Sequence, residues 1–196
     1  MRRIALLRAV NVGGRKIVMA ELRAACEAAH FQDASTYIAS GNLLFAPRAD
    51  PADEERELES VIEATFGMAV PVIVRPGEVW PDYLAACPMP ETAAAEPNRL
   101  VMLLPKRPPQ PGAVEALRAR AAPSERLALV GDALWIHYAG GVAATRLTPD
   151  AIDRALGGTV VGQVDALQIG LATAVGGMEE VTGHAAVLKR GRALTH

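Results

Sequence analysis

Two short stretches of this chain gather residue types able to hold an anion. The first, residues 8–16, carries the cations Arg8, Arg15 and Lys16, the amide of Asn11 and the adjacent glycines Gly13 and Gly14. The second is Ser40-Gly41-Asn42, which adds a hydroxyl, another glycine and another amide. Glycine loops can turn unpaired backbone N–H groups outward, and a loop that enters a helix adds the positive end of the helix dipole, so either stretch could bind phosphate or carboxylate. The loop matches neither GxGxxG nor GxxxxGK[ST], so no nucleotide assignment follows. The competing reading is structural, since glycine and asparagine are also what tight turns require and loop cations are commonly just solvated.

A reaction is harder to find. No GxSxG elbow is present, and Ser40 has no sequence-evident His and acid partners, so a hydrolase is not indicated. His137 alternates with Trp135 in an apolar run and reads as a packed or hairpin-edge histidine; His30, His184 and His196 carry less signal still. Cys26 and Cys87 stand far apart with no CxxC or Cys/His spacing, which points to no metal site, no disulfide framework and a reduced compartment. Catalytic residues and cofactor remain unassigned, and enzyme status stays open.

The elements that must position these residues follow from hydrophobic periodicity. Residues 4–10 form a short apolar, partly β-branched run ending at Asn11-Val12-Gly13-Gly14, a buried strand entering a glycine loop. Leu22, Ala25, Cys26 and Ala29 then recur at i, i+3, i+4 and i+7, one apolar stripe on a helix. Residues 36–39 and 43–45 flank Ser40-Gly41-Asn42, and the Gly-Asn pair predicts a two-residue hairpin turn. Asp50 is placed to cap a helix with Pro51 at its first position; Leu58, Val61, Ile62 and Phe66 make its buried face, Gly67 ends it, and the charge run of residues 53–59 reads as a solvated face. Residues 70–74 add a strand, with Pro71 at its start or at a sheet edge.

The order βαββαβ is the split βαβ arrangement, in which right-handed crossovers set the first and third strands side by side. A similar vocabulary follows: helix over 77–86, strand over 100–104, a turn-rich connector, helix over 113–122, strands over 127–130 and 133–138 joined at Gly131-Asp132, and a helix capped by Thr148 and stopped by Gly157-Gly158. The expected fold class is α+β: two ferredoxin-like-related α/β modules with mainly antiparallel sheets, over residues 1–75 and 76–158, with residues 159–196 unassigned.

Composition removes other classes. A chain of 196 residues with 51% hydrophobic and 21% charged residues is globular rather than disordered. A net charge of -2 supplies no general field for nucleic acid or acidic membranes. RNA-binding modules use a similar sheet, but the strand after the hairpin offers Leu43, Leu44 and Phe45, and aromatics are 4% of the chain, so the stacking platform is missing. Lys189, Arg190 and Arg192 read as a solvated tail, and Trp80 and Trp135 as core or interface residues. Arg8 interrupts the first apolar run long before a signal-peptide core, and Gly, Pro or charge breaks every other run short of a membrane span. A cytoplasmic protein without membrane contact is expected.

Four motifs resemble one bacterial family. Residues 5–14, ALLRAVNVGG, are similar to its ALLRGINVGG signature, with Lys16, Ile17 and Met19 at the family spacing. Tyr37-Ile38-Ala39-Ser40-Gly41-Asn42 is similar to its YIxSGN hairpin, residues 70–75 to its VPVIVR strand, and His137-Tyr138 with Arg146-Leu147-Thr148 to its late HY...KLT segment. The chain thus resembles the domain of unknown function 1697 family over about residues 1–158. That resemblance implies a two-module α/β fold and no established role. The chain departs from the family at Ala9, where glycine is usual, and after Gly158, where Val160-Val161-Gly162-Gln163-Val164-Asp165 replaces a Thr-x-Arg-Asn-Trp-Asn segment.

In the split βαβ topology the first strand's carboxyl end and the hairpin after the second strand share one end of the sheet. Arg8, Asn11, Gly13, Gly14, Arg15 and Lys16 should therefore meet Ser40, Gly41 and Asn42 on one rim, where a small anionic ligand could bind. The alternatives are a structural or self-associating protein whose turns serve only the fold, giving a homo-oligomer, and an RNA-associated protein, which the charge disfavours.

Overall fold

The structure, a computed structural model, describes residues 2–11, 14, 16–37 and 42–163. The first apolar run becomes β1 (Arg3–Leu7), buried at every position after Arg3. Then follow α1 (Met19–Ala28), β2 (Ser35–Tyr37), β3 (Asn42–Phe45), α2 (Pro51–Phe66) and β4 (Val72–Pro76). The sheet runs β2-β3-β1-β4 with antiparallel pairing throughout, so β1 lies between β3 and β4 as the crossover rule requires. Pro71 just precedes β4, an edge strand, where its missing N–H is harmless.

Two short helices, α3 (Trp80–Ala85) and α4 (Pro90–Ala95), lead to a second set: β5 (Leu100–Pro105), α5 (Ala113–Arg118), β6 (Arg126–Val130), β7 (Ala133–His137), α6 (Pro149–Leu156) and β8 (Val160–Gln163). Its sheet runs β6-β7-β5-β8, again antiparallel, which is the order of the first sheet. The fold class is thus α+β with antiparallel sheets. The two halves correspond in detail: Pro51 and Pro149 each open a helix after the hairpin, and Arg8 N–H to Pro71 O (3.0 Å) is matched by Lys106 N–H to Thr159 O (2.9 Å).

The central strands β1, β3, β5 and β7 are buried on both faces because both faces are covered. Ala5, Leu7, Leu43, Phe45, Val72 and Val74 pack against α1 and α2 through Leu22, Cys26, Leu58 and Ile62. Val101, Leu103, Leu134 and Ile136 do the same against α5 and α6 through Leu117, Ile152 and Leu156. The opposite faces meet each other: Ile4, Leu6, Leu44 and Ile73 of the first sheet share a core with Met102, Leu104, Ala133 and Trp135 of the second, closed by Trp80 and Met89. Sheets stacked face to face with helices outside give each fully buried Leu or Ile about 1.5–3 kcal/mol of transfer free energy.

Several local expectations change. Tyr37 pairs with Asn42, so Asn42 belongs to β3 rather than to a turn, because the pleat must aim Leu43 and Phe45 at the helices and Leu44 at the second sheet; residues 38–41, with the rest of the expected hairpin, lie outside the described residues. The charge run of α2 is solvated only in part: Asp53 and Arg56 are exposed, but Glu54 and Glu55 are buried, and Glu54 accepts from Arg48 N–H (2.8 Å), Ala49 N–H (3.1 Å) and Arg3 Nε (3.0 Å). Asp50 holds the N-cap position of α2 without a side-chain capping bond, whereas Thr148 caps α6 by accepting from Ala151 N–H. Helix α5 stops at Arg118 rather than residue 122, α4 was not anticipated, and β8 pairs with β5 beyond Gly158, where the sequence reading ended.

Candidate functional site

Strand β1 delivers its carboxyl end to the start of β3 through the pair Leu6↔Asn42. The chain leaves the sheet at Arg8, whose N–H still donates to Pro71 O at 3.0 Å. It then reverses through positive φ at Ala9 (51°), Asn11 (57°) and Gly14 (84°). Asparagine tolerates that region and glycine enters it freely, but alanine does so at a cost, which is the physical meaning of the glycine-to-alanine difference at position 9. The loop is closed from within: Asn11 Oδ1 accepts from Ile17 N–H at 2.9 Å, and Val10 and Ile17 are buried on either side in the core beneath α1.

Of the residues expected on the rim, Arg8, Asn11, Gly14, Lys16 and Asn42 are placed, while Gly13, Arg15, Ser40 and Gly41 lie outside the described residues. Gly14 and Lys16 are exposed; Asn42 is only 2% exposed and sits within the strand. Arg8 is already engaged. Its Nη1 donates to Asp153 Oδ2 of α6 at 2.5 Å, with side chains 19% and 27% exposed. The rim therefore borders both halves of the molecule, which residue spacing could not reveal for positions so distant in sequence.

The matching cation of the second half is Lys106, the residue after β5, and it too reaches across. Lys106 Nζ pairs with Glu59 and lies 3.7 Å from Glu55 Oε2, both on α2. Glu55 is the fourth residue after Pro51, as Asp153 is the fourth after Pro149. Each half thus sends the first cation beyond its central strand to an acid one turn into the other half's second helix. The Lys106 end is the more elaborate: Glu59 also accepts from Val72 N–H (2.9 Å), Glu55 from Val74 N–H (2.9 Å), and Arg75 lies 3.7 Å from Glu55. Burial holds the Glu55 carboxyl above its ordinary range, against the opposing pull of the Val74 N–H, Lys106 and Arg75.

Two further polar groups tie the halves or their edges. Arg75 donates to Pro105 O (2.9 Å) and pairs with Asp132 (3.4 Å), to which Tyr83 donates at 2.9 Å; burial, then Asp132, pushes the Tyr83 hydroxyl up. His137, 7% exposed, faces Glu96 with Nε2 and Arg126 with Nδ1, each at 3.4 Å. The His137 hydrogen bond, aided by Arg99, lowers the Glu96 carboxyl. With both ring nitrogens turned to protein groups, His137 acts as the packed histidine its alternation with Trp135 suggested. Among the described residues no cluster of three or more His, Cys, Asp or Glu side chains could hold a metal ion, and no helix is long and apolar enough to cross a membrane. His30 forms the left-handed residue after α1 (φ 65°), whereas His184, His196, Lys189, Arg190 and Arg192 lie outside the described residues.

A family model described as "Protein of unknown function (DUF1697)" matches residues 1–135. The chain belongs to the DUF1697 family. The match takes in the strand and loop, hairpin and β4 motifs, and ends before His137. The DUF1697 chain is also similar to a solved structure, that of conserved bacterial protein SP0830 from Streptococcus pneumoniae, with 21% identity and a TM-score of 0.67 over 88% of this chain and 98% of that one. At that identity the likeness speaks for the fold. No curated protein matches the chain.

Proposed function

We propose that this DUF1697 protein binds a small anionic ligand at the rim where the carboxyl end of β1 meets the β2–β3 connection, and that it works in the cytoplasm. The observation that carries the reading is the Leu6↔Asn42 register, which brings two stretches distant in sequence to one end of one sheet. Support comes from the loop itself: Asn11 accepts from Ile17 N–H, and Gly14 and Lys16 are exposed. An exposed glycine and an exposed cation in one loop are groups that an anion can use. The cytoplasmic assignment rests on two thiols, Cys26 and Cys87, that form no disulfide.

Thermal-shift measurements with inorganic phosphate, succinate, sugar phosphates and nucleotides test this reading. A ligand at tenfold its Kd stabilises by about 1.4 kcal/mol, which raises Tm by about 3–6 °C in a chain of this size. Lys16→Ala is the better control than Asn42→Ala, because Asn42 is buried and its loss would disturb the sheet. The shift should shrink in Lys16→Ala and in Asn11→Ala. Shifts that survive both substitutions would remove the rim as the site.

A further inference from the structure

A sheet edge exposes a row of backbone groups that could pair with another chain, and folds blunt their edges to prevent it. The first sheet does so on both sides. Strand β2 offers only three residues, and on β4 the N–H groups of Val72 and Val74 are taken by Glu59 and Glu55, at 2.9 Å each. The β6 edge of the second sheet is different. Among the described residues no strand lies outside it, and its five residues, Arg-Leu-Ala-Leu-Val, carry no proline, no lysine and no charge between Arg126 and Asp132. The Gly131-Asp132 turn makes Val130↔Ala133 a hydrogen-bonded pair, so by alternation Leu127 and Leu129 turn their N–H and C=O groups away from β7. Arg118 Nη2 of α5 donates to one of these, Leu127 O, at 3.2 Å, which lays α5 along the open edge. Leu129 is 36% exposed and borders an open cleft of about 420 Å³, lined also by Pro109, Pro111, Val114, Glu115 and Arg118.

We propose that this edge pairs with the β6 edge of a second copy of the chain, antiparallel about a two-fold axis at Ala128, so that two sheets join into one. In that register Leu127 exchanges both backbone bonds with the partner's Leu129, and the small Ala128 meets its own copy where the strands approach most closely. Arg126 falls opposite the partner's Val130, so no like charges face each other across the ladder. Charge selects both the occupant and the register. Glu115 and Arg118 stand three residues apart on α5, with side chains 72% and 57% exposed. Arg118 lies by Leu127 and the start of α5 by Leu129, so the helix runs antiparallel to the strand. An axis at Ala128 then sets Arg118 opposite the partner's Glu115, beside the cleft, on both sides of the axis. An axis at Leu129 would instead bring the two Glu115 carboxylates together. A two-fold interface must complement itself, and one acid and one base at this spacing satisfy that condition. An extended segment of another protein could use the backbone edge but has no reason to reproduce the charge pairing. The inference shares no residue with the rim and stands or falls independently of it.

Sedimentation equilibrium of the full chain, from micromolar to millimolar concentration at low ionic strength, tests the pairing. The wild type should pass from monomer to dimer as concentration rises. Leu129→Lys puts a charge on the edge and should weaken the dimer about tenfold or more. Glu115→Arg and Arg118→Glu each set like charges against each other at both contacts and should each weaken it by a similar factor. An equimolar mixture of these two variants restores opposite charges at both contacts and should form a heterodimer about as tightly as the wild type self-associates. Tryptophan fluorescence checks that every variant is folded. A wild type that stays monomeric throughout overturns the proposal, and does so equally if an extended peptide binds the edge instead. A dimer that Leu129→Lys or the charge reversals leave intact uses another surface, and a mixture no more associated than its separate components denies the two-fold charge contacts; either result also overturns it.

Discussion

Asn11 does two jobs in the loop, and a three-member substitution series separates them. Its side chain accepts from Ile17 N–H at 2.9 Å, and its backbone sits at φ 57°. Removing the acceptor leaves the N–H of a residue only 2% exposed without that partner, at about 0.5–1.5 kcal/mol. Forcing a Cβ residue other than Asn or Asp into the left-handed region adds about 1 kcal/mol. Asn11→Ala incurs both and should cost about 1.5–2.5 kcal/mol. Asn11→Gly loses the bond and some chain entropy but not the steric term, for about 1–2 kcal/mol. Asn11→Asp keeps an acceptor and tolerates the conformation, so it should stay within about 1 kcal/mol of wild type. Urea denaturation followed by tryptophan fluorescence reads this directly, because Trp80 and Trp135 both lie in the core between the sheets. With a slope of about 2 kcal/mol/M, Asn11→Ala should move the midpoint by about 1 M at unchanged slope. An alanine variant no worse than the glycine variant, or within 0.5 kcal/mol of wild type on the order of measurement error, would refute the argument.

Three other perturbations follow from the same coordinates. Ala9→Gly relieves the positive φ of 51° and should raise stability by about 0.5–1 kcal/mol, read as a higher urea midpoint. Glu54→Ala strips three donors of a wholly buried carboxylate and should cost about 3–5 kcal/mol in the same assay; a loss below about 1 kcal/mol would show that the carboxylate does not organise the start of α2. Burial, with a smaller push from Glu27, raises the Cys26 thiol from 9.0 to about 12, so the native state holds this proton more tightly than the unfolded chain and stability falls as pH climbs from about 9 toward 12. Cys26→Ala should flatten part of that fall in pH-dependent denaturation, leaving the share due to Tyr138, which burial raises from 10.0 to about 12.

Much of the fold was legible because local signals agreed. The apolar run of β1, the Pro51 and Gly67 bounds of α2, the Gly131-Asp132 turn and the Thr148 cap each state their element in a few neighbouring residues. What covers the second face of each sheet was not legible: a strand such as LVMLLP announces burial on both sides without saying that another sheet supplies one of them. The hairpin was misplaced because Gly41-Asn42 satisfies turn chemistry locally, whereas the register answers to two cores at once. Glu54 and Glu55 looked solvated because helical charge runs usually are; their partners include main-chain N–H groups, which leave no trace in residue identity. On the rim, Arg8 stood out as a cation by a glycine loop, yet Asp153 belongs to a helix of the other half and no spacing rule reaches it.

The repeated topology explains why the two ends of the β1 and β5 strands come to differ. An antiparallel sheet with its first strand in the interior releases the chain at a point surrounded by its own edge strand and by the facing sheet's helix, so a cation there finds an acid in the other half whichever half it leaves. Symmetry of position does not demand symmetry of use. Beyond Lys106 the connector is Arg107-Pro108-Pro109-Gln110-Pro111-Gly112, in which three prolines withhold the N–H groups an anion would need. Beyond Arg8 the loop carries glycines and one proline-free run of N–H donors to α1. Lys106 lies against two carboxylates of α2, and Arg8 pairs with Asp153 of α6. The same place in one repeated unit thus carries a proline-rich connector in one half and a glycine-bearing, proline-free loop in the other, and the cation ahead of each reaches an acid of the other half.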